Sequence, residues 1–374
     1  MDRIYFDNAA TTPLLSEVRK AMIEVMDLHY GNPSSIHYFG RNARSIIEEN
    51  RKLIASHLNC SPSCIIFTSG GTEASNLILS TAIQNHGVQH IITSQIEHPC
   101  ILNSLKEYTK KGISIDYINL DENHCYDVMH LDELLKKQSK KTMVCLMHVN
   151  NEIGSINDIL TIANLSSKYN SLYFADTTQS IGFIPLNTQL CPIDFCIGSA
   201  HKFHGPKGVG FAYLKKPSET HPIIYGGGQE RGLRSGTENL IGIAGMGAAL
   251  DYMSKHSDQI SQKLVDLNHL FRSQLNLLKV QPEWINKKEN SISKILTLRF
   301  PNFRNSDLLV LNLDIHGIAV SGGSACSSGA EKASHVMEYI FPDTNGKIVR
   351  FSFSLLNTKD EVENSISVLQ KILQ

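Results

Sequence analysis

No two cysteines of this chain are spaced as CxxC, and its eight cysteines are scattered over 374 residues. A disulfide scaffold carries cysteines far more densely, and a structural zinc site needs clustered thiols or imidazoles, so neither is expected. Cys60 and Cys64, and Cys191 and Cys196, stand near each other without a second pair nearby. Most of the thiols are therefore expected as small, buried groups in a reducing compartment. Long apolar runs are missing too: no stretch approaches the roughly 20 residues that cross a bilayer. The start, Met1-Asp2-Arg3-Ile4-Tyr5-Phe6, lacks a basic segment followed by an apolar one, so no signal peptide is expected and the setting is read as cytoplasmic. A net charge of -1 removes any bulk electrostatic reason to bind nucleic acid or an anionic membrane. There is no internal repeat and no low-complexity linker.

What is present is ordinary for a folded chain: 41% hydrophobic and 19% charged residues. The length suits a large domain plus a smaller one, since single cores rarely grow past roughly 250–300 residues. Short apolar runs at 64–68, 90–93, 115–118, 143–147, 172–175 and 195–197 alternate with segments of helical periodicity at 73–85, 103–111 and 159–169. That alternation predicts an α/β fold with a mostly parallel sheet and helices on both faces. A long helix is expected over 246–278 with a soft break near Ser257. A β-rich run at 295–300, a strand at 348–353 and a helix at 359–373 then suggest a smaller α+β domain. The expected division is a segment 1–15 that associates with the small domain, a large domain 16–254 and a small domain 255–374.

Three runs at strand ends carry the chemistry. Ser69-Gly70-Gly71-Thr72-Glu73 opens a helix, where free N–H groups and the dipole favour a phosphate. Asp176 and Gln179 lie in Ala175-Asp176-Thr177-Thr178-Gln179, and Lys202 in Ser199-Ala200-His201-Lys202. A carboxylate, an amide and a lysine at this separation suit a pyridoxal phosphate site. The amine condenses with the aldehyde, and the carboxylate keeps the pyridine nitrogen protonated. His98, in Glu97-His98-Pro99, follows another strand, where an imidazole can stack on a ring or shuttle protons. Taken singly, each has a plainer reading: a turn, a helix cap, a surface lysine, a structural histidine.

Together with further runs, these residues resemble the class V aminotransferase-like enzymes, and the cysteine desulfurases in particular. The further runs are Tyr5-Phe6-Asp7-Asn8-Ala9-Ala10-Thr11-Thr12-Pro13, Gly31-Asn32-Pro33-Ser34-Ser35, Val149-Asn150-Asn151-Glu152-Ile153-Gly154 and the stretch from Gly226 to Asn239. The resemblance spans nearly the whole chain and implies a type I pyridoxal phosphate transferase fold. It implies that Lys202 is the Schiff-base lysine, that Asp176 pairs with the pyridine nitrogen, that Gln179 faces the phenolate and that His98 stacks on the ring. Gly71, Thr72, Ser199 and His201 would hold the phosphate. Thr237 would reach the phosphate of the neighbouring subunit, which implies a symmetric homodimer.

The same resemblance makes Arg350 the fork for a substrate α-carboxylate. Asn150 would assist it and touch the ring. Cys326 stands among small residues, Ser321-Gly322-Gly323-Ser324 before it and Ser327-Ser328-Gly329 after it, whereas a buried structural thiol has apolar neighbours. It is the expected nucleophile toward the sulfur of L-cysteine, in the group I pattern Ser-Ala-Cys-Ser-Ser-Gly. No metal is required; Cys326 could ligate a transferred iron–sulfur cluster transiently. The implied acceptor of the sulfur is an iron–sulfur scaffold or a tRNA thiolation enzyme. Two features depart from the family: Ser354-Leu355-Leu356 replaces glycine and a polar residue, and the segment 330–347 is short. Selenocysteine lyase, transaminase and a catalytically weak scaffold that receives or passes sulfur are the competing readings.

Overall fold

A computed structural model of the protein describes residues 3–278, 280–285, 287–300, 308–322, 334–342 and 347–373. The chain starts with a two-residue strand, β1 (Ile4–Tyr5), and the helices α1 (Ser16–Leu28) and α2 (Tyr38–Leu58). Strands and helices then alternate: β2 (Ile65–Thr68), α3 (Gly71–Gln84), β3 (His90–Thr93), α4 (Pro99–Thr109), β4 (Ser114–Tyr117), α5 (Val128–Lys137), β5 (Thr142–Cys145), α6 (Ile159–Lys168), β6 (Leu172–Asp176), β7 (Phe195–Ser199) and β8 (Gly210–Leu214). The later part contains α7 (Leu240–Lys255), α8 (Ser257–Leu275), β9 (Glu283–Trp284), β10 (Ile295–Phe300), α9 (Leu309–Ile315), β11 (Ile318–Ala319), α10 (His335–Ile340), β12 (Lys347–Ser352) and α11 (Lys359–Ile372).

The main sheet has the order β2-β8-β7-β6-β5-β3-β4. Strands β4, β3, β5, β6 and β7 are parallel. β8 runs antiparallel to both β7 and β2. Two reversals cancel, so β2 points the same way as β7. The C-terminal ends of β2, β6 and β7 therefore emerge on one edge, where open α/β sheets bind ligands. Side chains alternate between two cores: Ile65 and Phe67 face one, Ile66 the other, and Ile92 and Ile91 divide likewise. Both faces are covered, which explains why the strands read as unbroken apolar runs.

Within the main sheet, β8 is the strand that the sequence pattern misses. Its first residue is Gly210, and glycine weakens a strand signal. The glycine is required: a Cβ there would come within 2.5 Å of the Gly198 carbonyl and 2.8 Å of the Gly70 Cα. The expected long helix starts at Leu240 rather than 246 and breaks at His256. There the Tyr252 carbonyl accepts from the His256 backbone N–H at 3.1 Å, the His256 ring nitrogen lies 2.9 Å from it, and the two rings stack at 4.2 Å.

The N-terminal segment is tied to the C-terminal part. β1 pairs in parallel with β11, Asp7 bridges to Ser352, and Phe6 packs edge-on against Phe353 at 5.1 Å. The antiparallel sheet β12-β10-β9 lies beside it. A second tie joins α2, β2 and the turn after Gly228. Arg51 and Glu230 form a two-pronged buried ion pair, each N···O contact 2.7 Å. The Glu230 carboxylate also accepts from the Phe67 N–H at 2.9 Å. Removing one partner of such a pair costs about 3–5 kcal/mol, because the other charge is left buried.

Candidate active site

The edge formed by β2, β6 and β7 opens into a cavity of about 300 Å³. α3 begins there, directly after β2, so its first-turn N–H groups point at the cavity. Gly71 and Thr72 line it from that side, and Ser199 and His201 from the end of β7. The His201 ring nitrogen is 3.2 Å from the Thr11 hydroxyl. Burial, with Lys202 and Lys207 adding, pushes its pKa down to about 4. His201 is thus a neutral N–H donor at pH 7 rather than a cation.

Asp176 ends β6, is buried, and accepts the Thr178 N–H at 2.9 Å. Gln179 donates to the Ala9 carbonyl at 2.9 Å, while its amide oxygen is buried without a partner. Lys202 closes the short 3-10 turn after β7 and donates to the carbonyls of Ala9 and Ala10, both at 2.8 Å. His98 caps α4 by accepting the Cys100 N–H on Nδ1 at 3.2 Å. Burial lowers its pKa, opposed by Asp176 and reinforced by Lys202 and His335. The neutral ring then carries its proton on Nε2. Asp176, Gln179, Lys202 and His98 all line the same cavity.

Arg350 reaches the cavity from β12 and is 1% exposed. It donates to the Asn151 carbonyl at 2.8 Å and pairs with Asp7 at 2.9 Å. Asn150, expected to touch ring and substrate, is not among the residues that line the cavity. It is fully buried, donates to the Ile96 carbonyl at 2.9 Å and accepts from the N–H groups of Glu152 and Ile153. Those contacts close the turn after β5 and occupy the amide oxygen and one of its N–H groups. Its neighbour Asn151 lines the cavity. Two adjacent asparagines look alike in sequence; only the path of the turn separates them.

Thr237 lies outside this cavity, with Glu230, Arg234 and Ser69 around a smaller one. Cys326 lies outside the described residues. Eight positions after it, Ser334 donates to the Glu152 carboxylate and caps α10 through the Met337 N–H. His335 Nε2 is 2.9 Å from the Glu97 carbonyl. Glu152 lines the cavity, so α10 begins against its wall. Glu97, Glu152, Ser334 and His335 carried no separate signal in the sequence, because their partners are remote along the chain. Cys100 also lines the cavity, but burial and the Asp176 charge push its thiol up to about 12. It stays protonated at neutral pH and is a poor nucleophile.

Glu97 is fully buried below His98. Its Oε1 accepts from the Tyr126 hydroxyl and from the Met147 N–H at 2.9 Å. Burial pushes its carboxyl up to about 8, against those two hydrogen bonds and with Asp176 adding. An unfolded glutamate ionises near 4.3. The native state therefore holds a proton that the unfolded state has already lost, and the stability tied to it fades as pH rises toward about 8. Glu97→Gln cannot ionise. Its melting temperature relative to wild type should climb between pH 5 and pH 8, by roughly 1–2 °C for each kcal/mol involved, because the unfolding entropy grows with chain length. Thermal melts at three pH values check this; a gap that does not change with pH would show that Glu97 ionises alike in both states.

The class-V aminotransferase family model matches residues 4–364. A relative from Dictyoglomus turgidum named cysteine desulfurase IscS is 37% identical, with 99% of this chain and 94% of the relative aligned. Among solved structures, a NifS-like protein superposes with a TM-score of 0.91 at 34% identity, covering 99% of both chains. SspA, solved in complex with cysteine, superposes with a TM-score of 0.83 at 28% identity, covering 95% of this chain and all of that one.

Proposed function

The chain belongs to the class-V aminotransferase family and, within it, to the cysteine desulfurases, and from that premise we propose that it removes sulfur from L-cysteine, forming a persulfide on Cys326 and releasing L-alanine. The observation that carries the reading is the convergence of Lys202, Asp176 and Arg350 on one cavity from three strands. Amine, carboxylate and guanidinium are the three groups an amino-acid reaction at the α-carbon needs. A relative solved with cysteine supports the substrate.

The residues present fit pyridoxal phosphate. Thr72, Ser199, neutral His201 and the start of α3 form a donor cradle for a phosphate at one end. Asp176 offers a carboxylate to a protonated ring nitrogen, and the buried Gln179 amide oxygen, unpartnered among the described residues, leaves room for a polar neighbour. When bound, the cofactor supplies an aldehyde for amines and a ring that draws electrons from the substrate α-carbon. Lys202 provides the amine that exchanges with the substrate amine and carries the α-proton. Arg350, with Asn151 beside it, binds the α-carboxylate. Neutral His98 serves proton transfers at the substrate thiol through Nε2. The Cys326 thiolate attacks the substrate Sγ; the S–S bond forms as the Cβ–Sγ bond breaks, and the electron pair left on carbon is protonated to give alanine.

The sulfur then passes to an acceptor such as an iron–sulfur scaffold or a tRNA thiolation enzyme. No helix among the described residues is long and apolar enough to cross a membrane. The seven described cysteines are all unpaired, which supports a reducing, cytoplasmic setting. Incubation with L-cysteine and a reductant tests the reading: sulfide and alanine should appear in equal amounts without any keto acid. Dependence on a keto-acid acceptor would point to transamination instead.

The homodimer belongs to the same proposal. Leu28, Tyr30, Ile36, Tyr38 and Phe39 are exposed side by side along the chain, and Tyr30 stacks on Phe39 at 5.3 Å. An apolar group of this kind marks an interface, and a second copy fits it because Thr237 is exposed and lies outside its own cavity. Thr237→Ala should loosen cofactor retention about tenfold in dialysis while the protein still sediments as a dimer. A fully active monomer contradicts the proposal.

A further inference from the structure

Arg350 is a buried cation whose five N–H donors are only partly used. One goes to the Asn151 carbonyl, one to Asp7 Oδ1, and Nε has no partner among the described residues. A guanidinium 1% exposed needs a compensating charge. Glu152 makes no ion pair with it among the described residues: its carboxylate is engaged by Ser334, and burial raises its pKa against the pull of Ser334 and Arg350. Among the described residues the ion pair of Arg350 is with Asp7.

Asp7 is itself held in place. Its carbonyl accepts from the Tyr5 hydroxyl at 3.2 Å and from the N–H groups of Ala10 and Thr11 at 3.1 and 3.3 Å. Its backbone bridges to Ser352, two residues from Arg350. The same turn presents the Ala9 and Ala10 carbonyls to Lys202. One short N-terminal turn thus touches both the lysine and the arginine of the cavity, although it lies far from either along the chain.

We propose that Asp7 is a positioning residue of the substrate site, holding the Arg350 guanidinium so that its unused N–H edge receives the α-carboxylate of the amino acid. The inference rests on the amino-acid reading given above. Arginine has a long stem with about 2 kcal/mol of rotamer entropy. Tying two of its nitrogens from behind leaves less freedom to lose when the substrate docks. Orientation, not charge, is the contribution of Asp7, since its negative charge opposes a second carboxylate.

The test compares Asp7→Ala, Asp7→Glu and Asp7→Asn in the cofactor-loaded protein, with thermal melts to confirm folding. Two readouts are taken: kcat and KM for L-cysteine, and equilibrium binding of L-alanine followed by absorbance of the bound cofactor. Asp7→Ala removes the tie and Asp7→Glu displaces it by a methylene. Both should raise KM and the alanine dissociation constant about tenfold, with kcat within about threefold. Asp7→Asn keeps an acceptor oxygen in place and should stay within about threefold of wild type. In an Arg350→Ala background, Asp7→Ala should add nothing. Unchanged binding in both Asp7→Ala and Asp7→Glu overturns the inference. So does normal binding in Asp7→Glu with impaired binding in Asp7→Asn, or a full Asp7→Ala penalty without Arg350. If Asp7→Ala does not fold, the Glu and Asn variants decide by the same criteria. A wild-type protein that makes no alanine from cysteine sinks the desulfurase reading instead, and alanine binding still judges Asp7.

Discussion

Lys202→Ala protein should release no measurable alanine or sulfide from L-cysteine. Proton transfer alone contributes on the order of 10²–10⁴-fold to such steps, and in the proposed reaction this amine would also make the bond to the cofactor. No other lysine is among the described residues that line the cavity. The substitution leaves Asp176, Gln179 and the α3 cradle in place, so the protein should still take up the cofactor without covalent attachment, and its absorbance should differ from wild type. The Ala9 carbonyl keeps the Gln179 donor, which limits structural damage. Lys202→Arg should be as inactive, because a guanidinium keeps its proton at neutral pH. The measurement is alanine by chromatography and sulfide by colorimetry, with cofactor content determined on each protein. Wild-type-like turnover by either variant would refute the assignment.

Cys326→Ser should separate the two halves of the reaction. Lys202, Asp176 and Arg350 are unaltered, so L-cysteine should bind and change the cofactor spectrum. A serine hydroxyl stays protonated and attacks sulfur poorly, so alanine release should fall by orders of magnitude and no persulfide should form. Cys100→Ser is the control. That thiol lines the cavity, yet burial and Asp176 push its pKa up to about 12, so its loss should leave turnover close to wild type. Normal desulfuration by Cys326→Ser would end the persulfide mechanism. Loss in Cys100→Ser alone would move the nucleophile there.

Much of the fold was legible because its signals are local. The runs at 64–68, 90–93 and 195–197 become β2, β3 and β7, and the break expected near Ser257 falls one residue earlier. β8 was hidden because the glycine that lets it pass Gly198 and Gly70 is a poor strand former. Nine of the expected site residues, from Gly71 to Arg350, line one cavity. Asn150 does not; its amide oxygen instead closes the turn that carries Asn151.

The sequence by itself determined the chemistry available: a lysine, a carboxylate and a glycine-opened helix, each at the end of a strand. Those groups are named by residue type and by hydrophobic period, and both are properties of a few consecutive residues. Tertiary structure decided who meets whom. Arg350 finds Asp7 across 343 residues, and Arg51 finds Glu230 across 179. Glu97 gains its raised pKa only because the strands around it exclude water. Such pairings and desolvation depend on the path of the backbone through space, and no short-range pattern encodes that path.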